Sequence, residues 1–177
     1  MSFNKKDRNA AAIYQGVNPS EYHADHKHPR AFGGGDNVEN LRFINPITNI
    51  KKGSRRVQLR KWQEEFLKEY DARTEPNFLL VAVPGAGKTY AALEAARRFL
   101  DSGSDRRIIV VTPTRNLKKQ WVDEAVTFGI DLQSKEFGIR DCKDGFQGGV
   151  LTYHALNTQS SFCRVVCSNN PTMGILD

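Results

Sequence analysis

The chain has 177 residues, a formal net charge of +6, 39% hydrophobic residues and three cysteines. That length holds one ordinary domain with a small module, or two small domains, and the apolar runs exclude a membrane-spanning design because even FLLVAV, residues 78–83, is only strand-sized. Cys142, Cys163 and Cys167 are an odd number without a secretory leader, which implies no disulfide framework and leads us to expect a soluble protein of a reducing cytoplasm.

The charge is unevenly placed. Residues 1–61 hold 12 Lys and Arg against 5 Asp and Glu, so +7, whereas residues 62–177 hold 14 against 15, so −1. A positive field on the first part attracts a phosphate backbone, although a solvated basic face accounts for the charge alone equally well.

Residues 1–20 are polar and mixed, with a short helical run around Ala10–Tyr14, and receive no further assignment. Residues 21–30 and 40–45 are extended segments flanking the turn at Gly33, Gly34 and Gly35, and Pro46 precedes a short helix over Ile47–Arg55. The basic connector KKGSRR, residues 51–56, leads to a helix over Leu59–Tyr70. The apolar strand Phe78–Val83, a glycine loop and a helix over Lys88–Leu100 follow, the helix presenting Ala91, Ala92, Ala95, Ala96 and Phe99 on one face. Beyond it come a strand at Ile108–Val111, a helix over Arg115–Phe128, a strand at Val150–Tyr153, a helical stretch at Ala155–Cys167 and a strand at Met173–Asp177. This alternation predicts the α/β class, with a parallel sheet covered on both faces.

Cleaving a phosphodiester takes a base to deprotonate water and a cation to neutralise developing charge. Asp25 and His26 are adjacent, so on an extended segment they face opposite ways; Asn40 and Asn49 follow fourteen and nine residues later. A hard cation such as Mg²⁺ takes oxygen donors and keeps several waters, so Asp25 and the Asn49 amide oxygen would suffice beside a substrate phosphate. Over residues 21–56 the segment resembles an HNH endonuclease, the ββα-metal fold, in its asparagine variant. The resemblance implies His26 as general base, Asp25 and Asn49 as ligands of Mg²⁺ or Mn²⁺, and Asn40 as the brace of the loop carrying the histidine. It implies double-stranded or branched DNA as substrate. Many members carry zinc-binding cysteine pairs and this region has none, so its core must be held by packing or by its neighbour. Two other readings stand beside it: a soft-metal cluster of His23, His26 and His28 with Asp25, and a degenerate fold that binds DNA without cutting.

Gly85, Ala86, Gly87, Lys88 and Thr89 follow an apolar strand and open a helix, the context of a phosphate-binding loop. Backbone N–H groups there would cradle phosphates of ATP, with Lys88 on the β and γ groups and the Thr89 hydroxyl on Mg²⁺. The form AVPGAGKT, residues 82–89, is similar to the version in superfamily-two helicases of the DEAD/DEAH type. TPTRNLKKQW, residues 112–121, resembles their motif Ia, which implies contact with a nucleic-acid backbone. LRKWQ, residues 59–63, resembles the segment whose glutamine, here Gln63, meets the adenine. GVLTYHAL, residues 149–156, resembles motif Ib or its neighbour, around Thr152 and Tyr153, and GILD, residues 174–177, the opening of motif II, with Asp177 the carboxylate that orders Mg²⁺.

The expected organisation is an HNH module over residues 1–56 and an incomplete RecA-like P-loop domain over residues 57–177, the two coupling metal-dependent DNA cleavage to an ATP-driven motor in a bacterial or phage-infected cell. The second RecA-like domain, expected in cis in the intact protein, and the glutamate that positions the attacking water are not in the sequence, so negligible hydrolysis is expected of it as given. The alternatives are a non-cleaving DNA-binding adaptor and a P-loop enzyme of small molecules. The motif Ia and Ib matches count against the latter.

Overall fold

The computed structural model describes residues 5–27, 35, 37–46, 49, 57–134 and 146–177. The first helix, α1 (Lys5–Gln15), covers a segment in which sequence reasoning found only a short helical run. Its apolar stripe is little more than Ala11 and Ala12, which bury against Leu41 and Phe43. What fixes it is Gln15: its Oε1 accepts from the Phe43 backbone N–H at 2.8 Å and its Nε2 donates to the Leu41 carbonyl at 3.0 Å, so one side chain takes the place of a neighbouring strand. The strands it serves are β1 (His23–His26) and β2 (Leu41–Ile44), antiparallel, with Asp25 opposite Arg42 and His26 opposite Leu41. Pro46 and Asn49 are helical; the rest of the helix expected over Ile47–Arg55 lies outside the described residues, as do Gly33 and Gly34.

The second part opens with α2 (Lys61–Ala72) and α3 (Lys88–Asp101), packed through Phe66 and Leu67 against Ala91 and Ala95. Next come β3 (Arg107–Thr112), α4 (Arg115–Thr127), β4 (Leu132–Gln133), β5 (Gly148–Thr152), α5 (Tyr153–Thr158), α6 (Ser160–Asn169) and β6 (Thr172–Leu176). Strands β3 to β6 form a parallel sheet in the order β4-β5-β3-β6. Period-two alternation along β3 sends Ile108 and Val110 to one face, with Leu93, Trp121 and Ala125 from α3 and α4, and Ile109 and Val111 to the other, with Val166 of α6. Both faces are thus covered, as a parallel sheet requires. The stretch expected as one helix from Ala155 to Cys167 is two, broken at Gln159.

One expected strand does not form. The run Phe78–Val83 is assigned to no strand, and Leu79, Val81 and Val83 are 84%, 81% and 72% exposed, while Leu80 turns inward to the α2–α3 cluster. The period-two pattern is present, but a strand exists only where another backbone pairs with it, and among the described residues none does. Strand β6 is correspondingly the last of its sheet.

The two parts meet at the C-terminal end of α3. Arg42 donates to Asp25 at 3.1 Å and to Asp101 at 3.4 Å, and Lys27 Nζ donates to the Asp101 carbonyl at 3.1 Å. Cations at a helix C-terminus meet the negative end of its dipole, which is the electrostatic reason the hairpin docks there. A cavity of about 110 Å³ lies in this seam, walled by Lys27, Arg42, Asp101, Arg106 and Arg107 among others.

Candidate functional site

The glycine loop turns sharply between the exposed run and α3 because Gly85 and Gly87 adopt φ of 74° and 91°, a left-handed region closed to most side chains. Gly87 is the N-terminal cap of α3, so the first free N–H groups of that helix open onto the loop. A Cβ on Gly87 would lie 2.9 Å from Gln63 Nε2, so the cradle has no room for one. Gln63 is buried at the start of α2; its Oε1 accepts from the Arg60 N–H at 2.7 Å, and its Nε2 donates to the Gly87 carbonyl at 2.8 Å. Arg60 Nη1 donates to the Ala86 carbonyl at 3.0 Å. The segment expected to meet the adenine therefore grips the phosphate loop, and Arg60, inside the quoted LRKWQ but without an assigned role, is part of the grip. Lys88 folds its ammonium onto the carbonyls of Ala82, at 2.7 Å, and Val83, at 3.3 Å. A phosphate offers such a cation an opposite charge as well as an acceptor, which a carbonyl does not. Free amides, left-handed glycines and a recruitable lysine fit the phosphates of a nucleotide, and Thr89 sits beside Lys88 in the first turn of α3.

The remaining motif segments meet at the C-terminal edge of the parallel sheet, where ligands bind in open α/β folds. Thr114 caps α4, its side chain accepting from the Leu117 N–H, and Thr152 caps α5 by accepting from the Ala155 N–H. Asp177 follows β6 and is tied to both neighbours: its N–H donates to the Val111 carbonyl at 2.9 Å, and Tyr153 donates its hydroxyl to the Asp177 carbonyl at 3.2 Å. Its carboxylate Oδ2 accepts from the Trp121 indole at 2.8 Å. The structure thus brings Thr112, Thr114, Thr152, Tyr153 and Asp177 to one edge. Trp121, the last residue of TPTRNLKKQW, is a contact that sequence reasoning missed.

Behind the loop, α3 carries a chain of ion pairs. Arg97 bonds Glu94 and Asp101, each at 2.7 Å, and Arg98 bonds Glu94 at 3.2 Å and Asp71 of α2 at 2.5 Å. Burial pulls the Glu94 carboxyl upward, but the bonds and charges of Arg97 and Arg98 prevail and hold it below the usual carboxylate range. These pairs continue through Asp101 to Arg42 and Asp25.

In the hairpin, β1 places His23 and Asp25 on one face and Ala24 and His26 on the other, the latter with Leu41 and Phe43 over α1. Asn40 donates its side-chain amide to the Gly35 carbonyl at 2.7 Å, and its own carbonyl accepts from the Lys27 N–H at 2.7 Å, which ties the glycine loop to the end of the strand carrying His26. The Asn49 amide nitrogen lies 3.5 Å from His23 Nδ1, on the face His23 shares with Asp25. The Asp25 carboxylate is engaged by Arg42, whose side chain is 8% exposed. Among the described residues no group of three or more His, Cys, Asp or Glu side chains is placed to hold a metal ion, and His28 lies outside them. No described helix is long and apolar enough to cross a membrane.

Residues 56–170 match the family model of the Type III restriction enzyme, res subunit. An uncharacterized protein of Mycobacterium leprae, ML1624, is 30% identical over 155 residues, covering 87% of the chain and 25% of that protein. Two uncharacterized proteins of Mycobacterium tuberculosis, MT2985 and Rv2917, are each 32% identical over 120 residues, covering 67% of the chain and 20% of those proteins. The chain therefore spans a quarter of the first relative's length and a fifth of the others'. No solved structure matches it. Phosphate loop, gripping glutamine and converging strand ends agree with that match: the chain belongs to the family of the Type III restriction enzyme res subunit, and carries its helicase-type domain for ATP with Mg²⁺.

Proposed function

We propose that this chain is the nucleotide-loading part of a nucleic-acid motor, in which Gly85–Thr89 take the phosphates of Mg²⁺·ATP, Asp177 orders the cation and the Thr112–Thr114 loop follows the backbone of a DNA strand. The observation that carries the reading is the grip of Gln63 on Gly87, at 2.8 Å, beside a lysine bound only to neutral carbonyls. These groups bind and orient the nucleotide and its cation. Binding of a fluorescent ATP analogue with Mg²⁺ tests the reading: Lys88→Ala should weaken it at least about tenfold, since it removes a charge-assisted bond to phosphate. Undiminished binding by that variant would remove the loop from nucleotide recognition.

A second reading adds DNA cleavage to the hairpin module, with His26 as base and Asp25 and Asn49 on Mg²⁺ or Mn²⁺. It is favoured by the Asn40 brace on Gly35 at 2.7 Å, and it requires a cation to displace Arg42 from Asp25. Plasmid nicking with Mg²⁺ or Mn²⁺ against a chelator control, abolished in His26→Ala while DNA binding persists, is the expected result. Binding without nicking in the unmodified chain would make the hairpin an adaptor instead.

A further inference from the structure

We propose that Trp121 is a positioning residue for the Mg²⁺-ordering carboxylate, its indole N–H holding Asp177 in place at the edge of the sheet. The inference rests on the reading of Asp177 as the group that orders the cation. Trp121 is 3% exposed, packed among Leu93, Ile108, Val110 and Val150 on the α3–α4 face of the sheet. Apolar packing accounts for its ring but not for its N–H, a donor that buried tryptophans pair. The partner here is Asp177 Oδ2 at 2.8 Å, on a residue 56 positions away.

Chemistry makes an indole well suited to this task. It is a donor only and stays protonated across the whole range in which proteins fold, so it holds a carboxylate without competing for its proton. The bond takes one lone pair of Oδ2, and a carboxylate keeps further acceptor sites with which it could bind a cation. The backbone of Asp177 is already fixed from β3, through Val111, and from α5, through Tyr153. Without the indole the side chain is free to rotate about Cα–Cβ and Cβ–Cγ, and the bond to Trp121 restrains both. Groups that orient a metal-binding carboxylate are typically worth 10- to 100-fold in metal affinity.

The test uses the full chain and reads the Mg²⁺ concentration at which binding of a fluorescent ATP analogue is half-enhanced, alongside its affinity in chelator. Trp121→Phe keeps an aromatic ring and loses the N–H; we expect its Mg²⁺ midpoint to rise about tenfold with metal-free affinity unchanged. The double variant with Asp177→Asn should be no worse than Asp177→Asn alone, because both remove one arrangement. Should Trp121→Phe fold poorly, benzothienylalanine incorporated in a Trp62→Phe background replaces the N–H by sulfur in an almost unchanged outline, and the same rise is expected. A midpoint equal to that of the unmodified chain in either variant, when Asp177→Asn has raised it, overturns the positioning role. Equal loss with and without Mg²⁺ marks Trp121 as packing only and overturns it too. A midpoint that Asp177→Asn leaves unmoved overturns the metal reading of Asp177 itself, and the inference with it.

Discussion

Replacing Arg42 by methionine isolates the electrostatic seam between the hairpin and α3. The guanidinium is 8% exposed, and its two carboxylates, Asp25 and Asp101, are 16% and 17% exposed. Breaking a buried pair by removing one partner costs about 3–5 kcal/mol, because the other charge is left desolvated and unpaired. Asp101 keeps its bond to Arg97 at 2.7 Å, so the loss falls mainly on the contact with Asp25. Partial exposure of Asp25 lowers the expected cost to about 2–3 kcal/mol. For a chain of this size that is a fall of about 5–10 °C in Tm at pH 7. Calorimetry on Arg42→Met and on Arg42→Met with Asp25→Asn measures it, and the second substitution should restore part of the loss by removing a buried carboxylate charge that has lost its guanidinium. A fall under about 2 °C, or one that disappears in 0.5 M salt, would show a solvent-screened contact and refute the argument.

Gly87→Ala forces a side chain into a left-handed conformation, at about 1–2 kcal/mol, and into Gln63; because its Cβ would stand 2.9 Å from Gln63 Nε2, loss of ATP-analogue binding with the helices intact by circular dichroism is expected. Gly148→Ala places a Cβ 2.0 Å from the Ile108 carbonyl oxygen, closer than any adjustment can absorb without parting β3 from β5, so soluble expression should fail. The Glu94 carboxyl is depressed in the folded chain, so its contribution is fully present above the ordinary value of 4.5 and is lost as pH falls through the folded one. Glu94→Gln should therefore cost about 1.5–3 kcal/mol at pH 7, from bonds to charged partners, and progressively less in acid titrations of unfolding.

The phosphate loop was legible because its chemistry is local: two glycines, a lysine and a threonine in a row dictate their own turn, whereas Gln63 was expected at the adenine and its bond to the Gly87 carbonyl was not foreseen. The parallel sheet was legible from its alternation, and β1 and β2 from the glycine turn between them. Elements that depend on distant partners were not. Helix α1 has almost no apolar face to announce it, and Gln15 secures it by bonding a strand 28 residues away. Phe78–Val83 reads as a strand from side chains alone, yet pairing is a property of the neighbour. Arg42 gives no local sign that it will take the Asp25 carboxylate, and nothing in TPTRNLKKQW shows that its tryptophan meets Asp177. A reading of residues one segment at a time finds donors and acceptors but not their matches.

The bare flank beside β6 bears on how the protein can be handled. Leu79, Val81, Val83 and Leu176 are exposed aliphatic groups next to a strand whose outer edge pairs with no other strand among the described residues, a combination that invites recruitment of any passing extended peptide. At high concentration these 177 residues should self-associate through that flank. Charged substitutions at Leu79 and Val81 are the natural means of keeping them monodisperse, since both side chains point away from the α2–α3 cluster and their loss leaves the interior unchanged.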